Sequence, residues 1–500
     1  MSRRRQGLQT PIFARFVFAM MAMSLGALGL VGCSAVSDFG GAPLGGLSRL
    51  SAKPSGMTIE KVVSPGGVSA WLVREPAVPI IAVEAGFIGG ASNDPTGRAG
   101  LASLMSALLT EGAGDMEATA FQRRLQELNM SLGGGVSRDE TVVSMRTLSV
   151  NRDAAFEMLR LAVNEPRFDR DAVERVRDQI VVGLKRSDQN PNAVASRLLW
   201  RTVFPEHPYG RPTGGAPAEV ERLTPAMVRD RHRRALAKDV MRIAVVGDIT
   251  PEELGPLLDS TFGALPETAD TPPIPAAAPL AEGRTVIERF PAPQTAILFA
   301  APGLTIDDPD FIPAFVMLQI WGGGGLTSRL VQEVRGARGL AYSVSAGLAP
   351  LREAGIIYGL AGTQNARAGE TVDIIRAELK KIAATGVTAA ELNDAKTYLT
   401  GSYPLRFDSN SKIANQLVGL QLQGYDAGYV NRRNSLIEAV TLADIQRAAD
   451  RLMRNDALTF VLVGQPEDLS DARRRIEREY AIAGGRIDGD GKRAARRVAN

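Results

Sequence analysis

Five hundred residues, 45% hydrophobic and 23% charged, make a chain long enough for two or three domains with cores of their own, which excludes disordered and fibrous classes. Fifty-eight basic residues against 55 acidic ones leave a formal charge of +3, too small and too dispersed for a nucleic-acid footprint. With only two histidines, His207 and His232, and one cysteine, Cys33, the chain forms no internal disulfide and has almost nothing from which to build its own zinc site or histidine-dependent triad.

The amino terminus carries Arg3, Arg4, Arg5 and Arg15, then an apolar or small run from Phe16 to Gly32 that closes on Leu30-Val31-Gly32-Cys33. Residues 1–33 read as a secretion signal ending in a lipobox, with Cys33 as the lipid attachment point. Several acyl chains on one residue anchor a protein where a single chain does not. The stretch from Phe16 to Val36 is also just long enough to serve as an uncleaved signal anchor, but the chain's only cysteine stands at the last lipobox position, which favours lipidation. Ser34 after it, rather than Asp, fits dispatch to the outer membrane. Residues 34–56, rich in Gly, Ser and Pro, read as a flexible tether, so the folded part is expected on the periplasmic side of a bacterial envelope membrane.

From Ile59 onward strands and amphipathic helices mix. Val68–Val73 alternates as a strand, and Pro79–Gly90 reads as a core strand followed by a helix. In that helix Leu101, Leu104, Met105, Leu108 and Leu109 form one apolar face. His207 lies in the loop sequence His-Pro-Tyr-Gly, while His232, flanked by Arg231, Arg233 and Arg234, reads as part of an exposed helix. Residues 57–265 are the expected first domain. The run Thr271-Pro-Pro-Ile-Pro-Ala-Ala-Ala-Pro279 marks a linker over 266–284, and 285–482 is the expected second domain. A repeat spans the linker: Thr224 leads through a helix to the strand Arg242–Gly247, and Thr441 leads likewise to Thr459–Gly464. At one constant shift Ala226 meets Ala443, Arg234 meets Arg451 and Val246 meets Val463. Matching order on both sides of a linker means duplicated domains rather than a solenoid. Gly322–Gly325 is no phosphate loop, because no Lys-Ser/Thr follows at the required spacing. Residues 483–500 read as a basic, solvated tail.

The stretch Gly322-Gly-Gly-Gly-Leu-Thr-Ser-Arg-Leu-Val-Gln-Glu-Val-Arg-Gly-Ala-Arg-Gly-Leu-Ala-Tyr342-Ser-Val resembles, almost residue for residue, the second-domain signature of the pitrilysin, or M16, zinc metallopeptidases. The resemblance spans about residues 57–482, with weaker support from His207-Pro-Tyr-Gly210 and the two strands ending in Val-Gly. It implies an α+β fold of two homologous domains of the LuxS/MPP-like metallohydrolase type, each a mostly antiparallel sheet packed with helices. Active members carry HxxEH on the first long helix. Its two His share a helical face and its Glu acts as general base on zinc-bound water, with a further Glu ligand downstream. Aligning Gly100-Leu101-Ala102 with the family places Ser103 and Ala107 at the His positions and Ser106 at the Glu position. The segment Ile180–Leu184 falls at the third ligand and has no carboxylate, Glu174 and Asp178 lying a turn or more too early.

What the resemblance leaves in place is Arg335 and Tyr342, at the family positions that bind substrate near the scissile bond. A guanidinium and a phenol are both donors suited to a peptide carbonyl and its developing oxyanion. Taken without the signature, Arg335 would pair with Glu333 or Glu353 and Tyr342 would simply pack at a strand end. The glycines Gly322, Gly323, Gly324 and Gly325 are expected beside an extended substrate strand, where close main-chain approach matters. The implied function is that of a non-catalytic subunit, inactive alone and binding no metal of its own. Its HxxEH partner would supply the zinc and the pair would act on unfolded peptides. The alternative is a catalytically dead structural or peptide-binding envelope protein with the same fold. An enzyme using an unrelated site has no supporting motif.

Overall fold

The computed structural model describes residues 56–323, 325–453 and 457–467. In the first half, β1 (Glu60–Val63) and β2 (Ser69–Arg74) form a hairpin. Its turn closes through Gly67 N donating to Ser64 O at 2.9 Å, and Gly67 has a φ of +88°, a conformation glycine adopts without strain. The long β3 (Ile80–Ile88) follows, then a short hairpin of β4 (Gly112–Ala113) and β5 (Met116–Glu117). β6 (Ser131–Val136), β7 (Glu140–Leu148) and β8 (Met241–Gly247) complete a six-stranded sheet in the order β1-β2-β8-β3-β7-β6. β8 pairs antiparallel with β3 and parallel with β2. Its continuous run Ile243-Ala-Val-Val is buried, as a central strand covered on both faces requires.

The second half repeats this plan. β9 (Thr285–Arg289), β10 (Gln294–Pro302), β11 (Ala341–Pro350), β12 (Gly355–Gln364) and β13 (Thr459–Gly464) form a sheet in the order β11-β12-β10-β13-β9. β13 pairs antiparallel with β10 and parallel with β9, as β8 does with β3 and β2. The repeated Val-Gly strands therefore occupy equivalent places, and the edge strands β6 and β11 correspond.

The helices that matter to the site are α1 (Leu101–Leu108), α2 (Arg152–Asn164), α3 (Arg170–Ser187), α4 (Pro191–Val203) and α5 (Pro225–Ala235) in the first half. The second contributes α6 (Phe311–Leu318), α7 (Ala368–Thr385), α8 (Ala389–Gly401), α9 (Asn410–Leu422) and α10 (Leu442–Met453). Two of them cross over. α4 starts at Pro191 behind the Asn190 cap, which accepts from Asn192 N and Ala193 N. Its stripe Ala195, Leu199, Val203 packs on Val286, Leu298, Ala300, Val461 and Val463 of the second sheet. α9, capped by Ser409, lays Ile413, Ala414, Leu417 and Val418 on Trp71, Val73, Ala82, Ala244 and Val246 of the first. Gly86 permits that approach, since a Cβ there would lie 2.6 Å from Val418 Cγ1. Each half thus covers one face of the other's sheet.

Polar contacts close the same seam. Tyr209 is fully buried, and its hydroxyl donates to Asp139 Oδ1 at 2.7 Å and accepts from Glu353 N at 3.1 Å. Arg352 N donates to Asp139 Oδ2 at 3.0 Å. The proline-rich linker lies along this seam: Asn93 Nδ2 donates to Pro272 O, Ala277 N to Glu353 O and Leu280 N to Val203 O, at 2.9, 3.0 and 2.9 Å. No helix among the described residues is long and apolar enough to cross a membrane.

Candidate functional site

α1 begins where Gly100, at φ +94°, turns the chain, and the carboxylate of Asp94 accepts from Gly100 N at 2.9 Å and Ala102 N at 3.0 Å. Burial pushes the Asp94 carboxyl up to about 6, against the pull of nearby Arg231. Leu101, Leu104, Met105 and Leu108 face the core, which fixes the helix; Ser103 then meets the Thr213 loop, Ser106 meets β6, and Ala107 packs against the margin of the core. Ser103 Oγ donates to Thr213 O at 3.0 Å. Ser106 is buried, its Oγ has no hydrogen-bond partner, and a Cβ on Gly134 of β6 would come within 2.3 Å of it. Ala107 is half-buried and offers a methyl group.

On α3, Ile180 and Leu184 pack against the core, Val182 is exposed, Glu174 pairs with Arg170 at 2.8 Å, and Asp178 lies 3.7 Å from Arg177. No group of three or more His, Cys, Asp or Glu among the described residues is placed to hold a metal. The zinc that the fold implies does not fit here. One hydroxyl is committed to a carbonyl, another is sealed under glycine backbone, and the third position has no donor.

Both histidines are structural. His207 Nδ1 accepts from Tyr209 N at 3.1 Å and its Nε2 meets Pro275 O at 2.9 Å. His232 corrects the expectation of an exposed helix. It is buried, edge-on to Phe168, with Nε2 2.8 Å from Val163 O of α2, and desolvation lowers its basicity. Arg231 turns inward with it, donating to Gly90 O at 2.9 Å beside the buried Asp94, while Arg233 and Arg234 face solvent. Flanking arginines misled because α5 presents one of them to a buried carboxylate.

In the second half, α6 runs into a π turn (Gln319–Gly323), a 3-10 turn (Gly325–Thr327) and a second π turn (Val331–Gly336) before β11. Gly322 and Gly323 back onto their own structure: a Cβ on Gly322 would lie 2.8 Å from Ala346 of β11, and one on Gly323 2.8 Å from Gln319 Oε1. Gly325 has a φ of +58° in open space. Gly324 lies outside the described residues, as do Cys33, the signal and the basic tail.

Leu330 and Val334 are buried and Arg335 is exposed. Tyr342 is the extra residue of a β-bulge, since the register passes from Ala341–Thr363 to Ser343–Gly362, and it is 82% exposed. The Arg335 guanidinium carbon lies 5.0 Å from the Tyr342 ring centroid, within cation–π range. The carboxylate of Glu333 is taken by Arg338, and Arg335 makes no ion pair among the described residues. The structure therefore joins Arg335 to Tyr342 and gathers Ser103, Ser106 and Ala107 on one helix. No hydrogen bond, ion pair or ring contact between described residues links the two sets.

Two groups escaped the reading of the sequence. Tyr209 lies in the His-Pro-Tyr-Gly loop, but its partner Asp139 is 70 positions away. Arg329 stood inside the signature without a role, and its partner Glu391 is 62 positions away. Spacing along the chain carries no signal for either.

Residues 76–216 match the family described as "Insulinase (Peptidase family M16)" and residues 222–399 match "Peptidase M16 inactive domain". A Mycobacterium leprae protein named "Uncharacterized zinc protease" is 24% identical over 427 residues, covering 82% of this chain and 92% of that protein. A Helicobacter pylori protein named "Non-peptidase homolog YmxG" is 23% identical over 397 residues, covering 77% and 89%. Among solved structures, an M16 inactive domain from Pseudomonas fluorescens superposes with a TM-score of 0.77 at 27% identity, over 83% of this chain and 99% of that one. A Helicobacter pylori protease gives a TM-score of 0.74 at 18% identity, over 81% and 99%, a likeness of fold. With its duplicated sheets, both family matches and relatives along most of its length, the chain belongs to the M16 peptidase family and matches that family's inactive domain over residues 222–399.

Proposed function

We propose that this chain is the non-catalytic, substrate-binding subunit of a heterodimeric M16-type peptidase. Its zinc-bearing HxxEH site belongs to a partner chain of the same fold. The observation that carries the reading is the contrast between Ser103, Ser106 and Ala107, which leave no free metal donors, and Arg335 with Tyr342, which stand exposed and within cation–π range of each other. Arg335 supplies a fixed positive charge with up to five donors, and Tyr342 a phenolic donor. Together they hold an extended peptide by its carbonyls and favour the charge that develops on the one being cleaved. The substrates are unfolded peptides small enough for the two subunits to enclose. Cys33 carries the lipid that holds the complex at an envelope membrane, facing the periplasm, and loss of acyl labelling in Cys33→Ser tests that anchor.

Purified alone, the chain is expected to hold no stoichiometric zinc and to cleave no peptide; co-purified with an HxxEH chain, it is expected to support cleavage. Stoichiometric zinc linked to activity in the isolated chain sinks the reading. A second reading, a peptide-binding protein without catalysis, is favoured by the relative named a non-peptidase homolog. Retention of intact peptide with no HxxEH partner in the co-purified material selects it.

A further inference from the structure

Between Gln319 and Leu340 the chain is irregular, and its local hydrogen bonds, such as Gly339 N to Arg335 O at 3.1 Å and Leu340 N to Val334 O at 2.8 Å, tie the segment to itself rather than to the neighbouring helices. Leu330 and Val334 sink into the core and set how deep the segment lies. Apolar contacts are non-directional, and they leave its rotation open. At its far end Thr363 Oγ1 donates to Leu340 O at 2.6 Å; ahead of it the directional contact to a neighbouring helix comes from Arg329, whose side chain is 12% exposed. Its Nε donates to Glu391 Oε1 at 2.6 Å, and its Nη2 donates to Glu391 Oε2 at 2.8 Å and to Gly386 O at 3.2 Å. A planar fork against a planar carboxylate fixes angle as well as distance.

Glu391 is itself immobilised. It is the third residue of α8, and its Oε2 accepts from Thr388 N at 2.8 Å and Thr388 Oγ1 at 2.9 Å in a capping box. The Arg329 hydrogen bond, the largest influence on it, holds its carboxyl down to about 2, so the pair stays charged at any working pH. Arg329 Nη1 is buried with no hydrogen-bond partner, and so is Oε2 of Glu378 on α7.

We propose that Arg329, clamped on Glu391, is the positioning residue for the Arg335–Tyr342 pair: it locks the Val331–Gly336 turn to the start of α8 so that the guanidinium of Arg335 stays against the ring of Tyr342. The catalytic consequence rests on the function proposed above, whereas the geometric one does not.

Two variants of the full chain test it. Arg329→Lys keeps the charge and loses the fork; Arg329→Met with Glu391→Gln removes the pair without leaving a lone buried charge. In both, amide exchange over residues 331–342 is expected to rise at least tenfold while β12 and α6 keep wild-type exchange. In the complex with the HxxEH chain, Arg329→Lys is expected to lower kcat/KM at least tenfold alone and to add nothing once Arg335 is Ala. Unchanged exchange over 331–342 overturns the proposal, and so does a loss that adds in full to that of Arg335→Ala. If exchange rises locally but Arg335→Ala and Tyr342→Phe both leave turnover intact, the positioning role stands and the proposed function falls.

Discussion

The edge strands β6 and β11 hold the same place in their two sheets, yet the segments packed beneath them have taken opposite courses. Under β6 lies a regular helix whose polar positions are closed, with Ser103 bonded to a carbonyl and Ser106 buried against Gly134. Beside β11 lies a run of irregular turns that keeps Arg335 and Tyr342 open to solvent. The difference shows that fold and chemistry occupy separate positions. Leu101, Leu104, Met105 and Leu108 secure α1 whatever stands at 103, 106 and 107. The second half breaks its edge strand with a bulge at Tyr342 and leaves that side chain open to solvent, a feature that sheet stability does not require.

The comparison breaks most readily at the helices each half lends the other. Leu417 of α9 and Leu199 of α4 are both buried against the opposite sheet. Leu417→Ala is expected to cost about 2–5 kcal/mol, with both halves unfolding in a single transition. Separate transitions, with the second half melting as in wild type, show instead that the halves are independent.

A smaller effect sharpens it. Pairing with β8 and β13 places Glu84 of β3 where β10 has Leu298, so one sheet buries an acid at the position where the other buries a hydrocarbon. Glu84 accepts from Ser144 Oγ at 2.9 Å and from Asn415 Nδ2 of α9 at 3.5 Å, but burial dominates and pushes its carboxyl up to about 7. The folded chain thus retains a proton that the unfolded chain releases near the ordinary glutamate range. This contribution to stability is full below about pH 4.5 and lost as pH rises through about 7. Glu84→Gln keeps the hydrogen bonds without the charge, so at pH 8 it is expected to be more stable than wild type by up to about 3 kcal/mol. The gain should vanish at pH 4 in paired denaturant titrations. An equal difference at both pH values would assign the effect to packing.

The sequence discloses the two halves well because each central strand is a continuous apolar run and because the Thr-to-Gly units repeat at one shift. The degenerate positions on α1 follow only from the family resemblance, through the alignment of Gly100-Leu101-Ala102; helical spacing adds that 103 and 107 share a face. The exchange of α4 and α9 was not legible. A stripe such as Ala195, Leu199, Val203 states that a face is buried and carries no information about which sheet covers it. The inward turn of His232, the bulge at Tyr342 and the Arg329–Glu391 clamp are hidden for the same reason, each depending on a partner far along the chain.

The central claim is that the second half supplies the substrate-binding pair to a site on another chain. Steady-state cleavage of a peptide by the complex with its HxxEH chain, comparing wild type with Arg335→Ala and Tyr342→Phe, tests it most directly. The account predicts a fall in kcat/KM of about 100-fold for Arg335→Ala and a lesser one for Tyr342→Phe, with assembly and zinc content of the complex unchanged. Wild-type turnover in both variants would contradict it.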